Sequence, residues 1–379
     1  VPASLTRLPL VPRSRRWRVV GALAALVGVG LAAGGSYYIQ AALGHMQLML
    51  AREPIEHLVQ RADTDEALRE RLQLVREMRA FASRELALPD NRSYRQFVEL
   101  DREQLLWSVM ALPEFSLRPK QWCYPVIGCQ SYRSYFREDR ARDLAEQLEA
   151  AGYEAIVRPV GAYSTLGWFA DPVTDHMLRR GDLSLAELLF HELAHQEVFV
   201  RGDTMFNEGY ATFVGEQGVR EWLRARDQHA ALERWESRRQ RVHRFNALLR
   251  EKRAELARLY VSGLPEEAMR HRKNAIFDSI RVSFQQQLVA DDPEMADLAS
   301  WFDRPITNAR LASVALYRHW VAAFDVLFRQ VDGDWQAFHA AVAELAEYPE
   351  AERKARLDAY LELAPTPRGG SRQTAASES

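Results

Sequence analysis

Cysteine is nearly missing from this chain of 379 residues, which holds two, Cys123 and Cys129. A framework of several disulfides is therefore excluded. What the pair can close, if the chain reaches an oxidising compartment, is one small loop across Pro125 and Gly128. Two free thiols are the alternative, and a second metal site lacks neighbouring histidines. Neither sign of charge predominates: 50 Lys and Arg against 52 Asp and Glu leave a net charge of -2. With no basic domain and no reader motif, no nucleic-acid partner is expected, and no acidic one is called for. The first eighteen residues lack any acid and carry Arg7, Arg13, Arg15, Arg16 and Arg18. The uninterrupted apolar and glycine stretch from Val19 to Ala33 follows, and after it come Gly34, Gly35 and Ser36 rather than a cysteine, so lipid anchoring has no support.

A basic head before fifteen apolar residues reads as a signal peptide or a short single-pass anchor with its basic side in the cytoplasm. The stretch is shorter than the roughly twenty residues usual for a span. The expected organisation is a leader over residues 1–35, one exported domain over 36–364 and a disordered tail over 365–379. That places the domain on the periplasmic side of a bacterial inner membrane, tethered to it, or free in the periplasm after leader cleavage. A hydrophobic content of 47% is ample for a buried core.

Histidine is sparse as well, ten in all, which gives weight to two that stand four residues apart. The run Leu188-Leu189-Phe190-His191-Glu192-Leu193-Ala194-His195-Gln196 is apolar around a His-Glu-x-x-His motif. On a helix both imidazoles leave one face a turn apart and can hold one zinc ion. Glu192 follows the first ligand directly, where a general base stands to take a proton from the attacking water. Twelve residues beyond His195, Asn207-Glu208-Gly209-Tyr210 begins a second helix, and Glu208 is the expected third ligand. Two histidines and one carboxylate leave a fourth position open, as in a catalytic zinc site rather than a structural one. Gly202-Asp203 can supply the tight turn that the short spacer needs.

These motifs resemble the gluzincin metallopeptidases. Together with Trp122 to Cys129, Tyr163 to Pro172 and Asn308-Ala309-Arg310-Leu311, they resemble a bacterial aminopeptidase family over roughly residues 36 to 345. The resemblance implies a zinc-dependent peptidase acting on peptides, with aminopeptidase activity preferred and endopeptidase activity as the alternative. A membrane-tethered scaffold with a vestigial zinc site is the rival from another class. The implied fold is α+β and predominantly helical, a gluzincin-like core with a small sheet beside the active-site helix.

The remaining residues support that outline. Ala162 to Phe169 is β-prone, and an exposed strand there could receive an extended substrate, with Gly167 allowing close approach and Trp168 and Phe169 shaping a pocket; a core strand with aromatic packing is the alternative. Ser184 with Glu187 reads as a capping box opening the metal helix. Glu216, two turns beyond Glu208, reads as a solvated acid, with support of a histidine ring as the alternative. Trp235, Val242, Leu249 and Leu256 recur every seven residues, which predicts a long helical hairpin over about 229–290. Tyr317 and Tyr210 are the candidate oxyanion donors. Asn308 and Arg310 either bind a substrate terminus or only open a helix.

Overall fold

Apolar residues recur at three- and four-residue spacing through most of the sequence, and the structure, a computed structural model, is accordingly α+β and mostly helical. It describes residues 35–364 apart from 101, 103, 125–127 and 163; the side chains at 35, 36 and 315–317 also lie outside the description. The chain divides into two units, residues 1–52 and 53–379. In the first, α1 spans Gly35–Leu50. The apolar leader segment and the tail expected from the sequence lie outside the described residues, among which no helix is long and apolar enough to cross a membrane.

The second unit opens with β1 (Glu53–Pro54), α2 (Ile55–Gln60) and α3 (Glu66–Glu85). Asp65 caps α3 by accepting from the Leu68 amide at 3.1 Å. Next come β2 (Gln96–Val98), β3 (Leu106–Pro113), β4 (Trp122–Tyr124), β5 (Gly128–Gln130), β6 (Arg133–Tyr135), α4 (Glu138–Ala150), β7 (Tyr153–Val160), β8 (Val173–Thr174) and α5 (Asp175–Leu178). β3 is the middle strand of an antiparallel sheet in the order β6-β3-β7, with Leu106 opposite Val160 and Pro113 opposite Tyr153. β4 and β5 form a hairpin in which Cys123 faces Cys129, and a disulfide joins them.

The central helices are α6 (Asp182–Glu197) and α7 (Thr204–Ala225). α8 (His229–Tyr260) and α9 (Glu266–Ser283) form the long hairpin, extended by a π-helical turn over Phe284–Val289 and a 3-10 segment over Pro293–Asp303. The chain continues through α10 (Asn308–Arg318), α11 (Val321–Gln330), α12 (Trp335–Glu347) and α13 (Glu350–Leu363).

One large core gathers the apolar faces of α3, α6, α7, α11 and α12, including Met78, Phe190, Phe213, Phe324 and Phe338. A second core lies within the hairpin, where Phe245, Leu249 and Leu256 meet Phe277, Ile280 and Phe284. Of the seven-residue repeat, Leu249 and Leu256 lie in this core, whereas Trp235 belongs to the large one and Val242 to neither. Gly215 sets the spacing of the two central helices, because a Cβ there would stand 2.8 Å from the Glu187 carbonyl and 3.4 Å from the His191 Cβ.

Three local expectations are corrected. α6 begins at Asp182 with Gly181 as its uncapped N-cap, so Ser184 lies inside the helix and no capping box forms. Residues 162 and 164–169 are not a strand. Thr165 donates both its amide, at 2.9 Å, and its hydroxyl, at 2.6 Å, to the buried Asp171 carboxylate, while Leu166 and Gly167 take positive φ angles of 55° and 79°. That closes a turn and overrides the β-propensity of the aromatic residues. Glu216 is buried rather than solvated.

Candidate metal centre

α6 and α7 lie in the core, so the polar groups they turn inward must find partners there. His191 and His195 leave the same face of α6, and Glu208, one turn into α7, meets them. The two Nε2 atoms are 3.2 Å apart, and the Glu208 Oε2 is 3.3 Å from His191 Nε2 and 3.8 Å from His195 Nε2. A tetrahedral zinc ion with ligands at about 2.0–2.1 Å sets its donors about 3.3 Å apart, so this triangle has the size of one face of such a site. The donor set fits a divalent metal in kind as well, and the three residues form a group able to hold one.

The inter-helix turn that delivers Glu208 is built from its own residues. Gly202 takes a φ of 86°, a left-handed conformation that suits glycine. The Asn207 side chain accepts from the Val200 amide at 2.7 Å and donates to the Val200 carbonyl at 2.8 Å, clamping the turn beside Glu208. Asp203 caps α7 by accepting from the Phe206 amide at 3.0 Å.

Burial sets the electrostatics. It pushes the Glu192 carboxyl up to about 7, with nearby Glu208 and Asp171 adding to the rise and His191 and Arg180 opposing it. Burial lowers His195 to about 4, which leaves the ring neutral near pH 7, the form in which an imidazole can bind a metal. Burial would raise Glu208 too, but the hydrogen bond from His191 reverses this and holds it below the usual carboxylate range.

His191, His195, Glu208 and Glu192 line a cavity of about 610 Å³ between α6, α7 and the end of β7. A profile of the family described as Putative aminopeptidase matches residues 36–357. The chain belongs to that family. No curated protein and no solved structure matches the chain closely enough to add to this.

Not every residue picked out from the sequence reaches this place. Trp168 and Phe169 are 77% and 52% exposed and do not line the cavity, and Gly167 packs instead against Gln196; Ser164 and Leu166 of the same turn line the wall. Tyr210 is fully buried away from it. Its hydroxyl donates to His339 Nδ1 at 2.8 Å, since His339 Nε2 gives its proton to the Leu86 carbonyl at 2.9 Å. That removes Tyr210 as an oxyanion donor. The Tyr317 side chain lies outside the described residues. Asn308 and Arg310 fasten α10 to its surroundings: Asn308 accepts from the Tyr260 hydroxyl and donates to the Glu114 carbonyl, and Arg310 donates to the carbonyls of Trp301 and Pro305. Arg158, Arg180, Glu187 and Arg318, which the sequence did not single out as cavity residues, line the wall. Only Glu187 carried a local signal, being one turn before His191 on the ligand face.

Proposed function

We propose that the chain is a zinc metallopeptidase of gluzincin type, with His191, His195 and Glu208 as ligands and Glu192 as general base, and that it acts as an aminopeptidase. The observation that carries this reading is the three-donor triangle of 3.2, 3.3 and 3.8 Å lining a cavity that Glu192 also lines. When bound, zinc supplies a Lewis acid that polarises the peptide carbonyl and lowers the pKa of water. Glu192 accepts a proton as the water oxygen attacks the carbonyl carbon, and returns it to the amine nitrogen as the carbon–nitrogen bond breaks. A carboxyl lifted to about 7 is suited to both transfers near neutral pH.

The extended substrate would add to β7. β3 occupies one side of that strand, no other strand among the described residues pairs with it, and its last residues, Arg158, Pro159 and Val160, border the cavity. An endopeptidase is the second reading. A free α-amino group needs a carboxylate, and the one on the wall besides Glu192 and Glu208 is Glu187, which Arg239 already holds in an ion pair.

The test is metal analysis together with hydrolysis of a peptide library by the wild type and Glu192→Gln. We expect both proteins to bind one zinc per chain and turnover of the variant to drop by about 10²–10⁴-fold. Equal hydrolysis by both would leave a scaffold with a vestigial site. Mapping the cuts separates trimming from the amino end from internal cleavage. We also propose that residues 1–35 carry the domain across the inner membrane and either tether it there or are cleaved.

A further inference from the structure

Six charged side chains line the metal cavity: the carboxylates of Glu187, Glu192 and Glu208 and the guanidinium groups of Arg158, Arg180 and Arg318. Five are engaged. Glu208 faces the two histidines, Glu192 is the proposed base, Glu187 is paired with Arg239 and Arg318 with Glu216, and Arg158 has contacts of its own. Arg180 is the exception. It is solvent-exposed on the cavity wall, and among the described residues its guanidinium has no ion pair and no hydrogen bond.

Its position is defined by Gly161, the residue after β7. A Cβ at Gly161 would stand 2.6 Å from Arg180 Nη2, 3.5 Å from Cζ and 3.7 Å from the Leu188 Cδ1. The guanidinium therefore lies across the bare Gly161 backbone at the level of Leu188. Leu188 precedes Glu192 by four residues, so the cation lies beside the helical turn that precedes the one carrying the proposed base. One helical turn rises about 5.4 Å and an extended peptide advances about 3.3 Å per residue, so an offset of one turn corresponds to one or two residues of substrate. A planar, permanently charged fork matches a carboxylate, and a substrate carboxylate would give the Arg180 guanidinium the ion pair that it lacks among the described residues.

We propose that Arg180 receives a substrate carboxylate one or two residues from the bond that is cut, so that the cleft selects acidic peptides. The carboxylate is that of an Asp or Glu side chain or of the peptide's own C-terminus. This rests on the reading of the cavity as a peptide-hydrolysing site, and the test separates the two by measuring binding as well as turnover.

Peptide sets would differ only in Glu against Gln at each position flanking the cut, and in a free against an amidated C-terminus. Binding is read by calorimetry on the zinc-loaded Glu192→Gln protein, with and without Arg180→Gln, and kcat/KM on the wild type and the Arg180→Gln and Gly161→Ala variants. We expect the carboxylate-bearing member of a pair to bind roughly ten-fold tighter or more, as a charge-assisted bond to arginine allows, and Arg180→Gln to bring the ratio towards one. Gly161→Ala, which keeps the charge but pushes the guanidinium aside, should give an intermediate ratio. The Glu/Gln pairs and the free/amidated pairs identify which source of carboxylate is read. A binding ratio near one in the presence of Arg180, or a ratio that survives Arg180→Gln, overturns the proposal even if every peptide is cut. Arg180-dependent binding without any cleavage upholds it and overturns the peptidase reading instead.

Discussion

Glu216 is 1% exposed on α7, two turns beyond Glu208, and its charge is held there by others. It accepts hydrogen bonds from Arg318 and, at 3.3 Å, from Arg239, with His243 Nε2 at 3.5 Å. Arg239 also reaches Glu187 on α6, so two carboxylates and two guanidinium groups brace α6, α7, α8 and α10 against one another. Burial alone would raise the Glu216 carboxyl; Arg318 first, then His243 and Arg239, outweigh it and hold the group well below the carboxylate range. A carboxylate whose pKa is lower in the folded than in the unfolded chain stabilises the fold above its unfolded pKa, near 4.3, and loses that contribution as pH falls towards the folded value. Glu216→Gln should therefore cost about 3–5 kcal/mol at pH 7, because it leaves buried guanidinium groups uncompensated. Urea unfolding of the two proteins should give a gap that is constant from pH 7 to about 5 and narrows below about 4. A gap that persisted unchanged down to pH 3 would mean that Glu216 contributes by packing rather than by charge.

At the scale of elements, what matters is how α7 starts, since Glu208 lies one turn inside it. Asp203 does two things there. One oxygen caps the helix through the Phe206 amide, and the other accepts from Arg353 Nε at 3.0 Å and Nη2 at 2.8 Å. Arg353, on α13, also donates to the Tyr348 carbonyl at 2.7 Å just past α12, so the last two helices are latched to the start of α7. Asp203→Asn can keep the cap and loses the ion pair, whereas Asp203→Ala loses both. The first should cost about 1–2 kcal/mol and the second about 3 kcal/mol, with a parallel fall in zinc affinity as α7 frays towards Glu208. Denaturant titration and zinc competition measure the two effects, and equal losses for both variants would show the latch to be idle. The same elements mark what a sequence can disclose. α6 and α7 are legible because motif spacing and helical period coincide within ten or twenty residues, and the hairpin is legible because Leu249 and Leu256 repeat locally. The partners of Glu216 lie 23 and 102 residues away and that of Tyr210 lies 129 away, so no local pattern could mark either residue as buried and paired. The turn over residues 164–169 was hidden in another way, because one buried carboxylate, Asp171, outweighs the propensities of the residues around it.

For the whole molecule, balanced charge turns out to be structure as much as solvation: Arg239 with Glu187, Arg353 with Asp203 and Lys273 with Glu154 all join elements distant in sequence. The disulfide between Cys123 and Cys129 adds a condition on where such a chain can mature, because the cytoplasm keeps thiols reduced while exported chains oxidise them. It therefore bears on the proposed role of the first thirty-five residues, whose arginines precede the apolar stretch from Val19 to Ala33. If they direct export, the full chain expressed in a Gram-negative host should have thiols that resist a maleimide until a reductant is added, and should be digested by protease added to spheroplasts. Recovery with the membrane fraction would indicate a retained anchor, and recovery in the soluble periplasm a cleaved leader. The chain without residues 1–35 should stay in the cytoplasm with both thiols open to the reagent. A full chain that was cytosolic, protease-protected and thiol-reactive would refute export, and would place the metal cavity among cytoplasmic peptides instead.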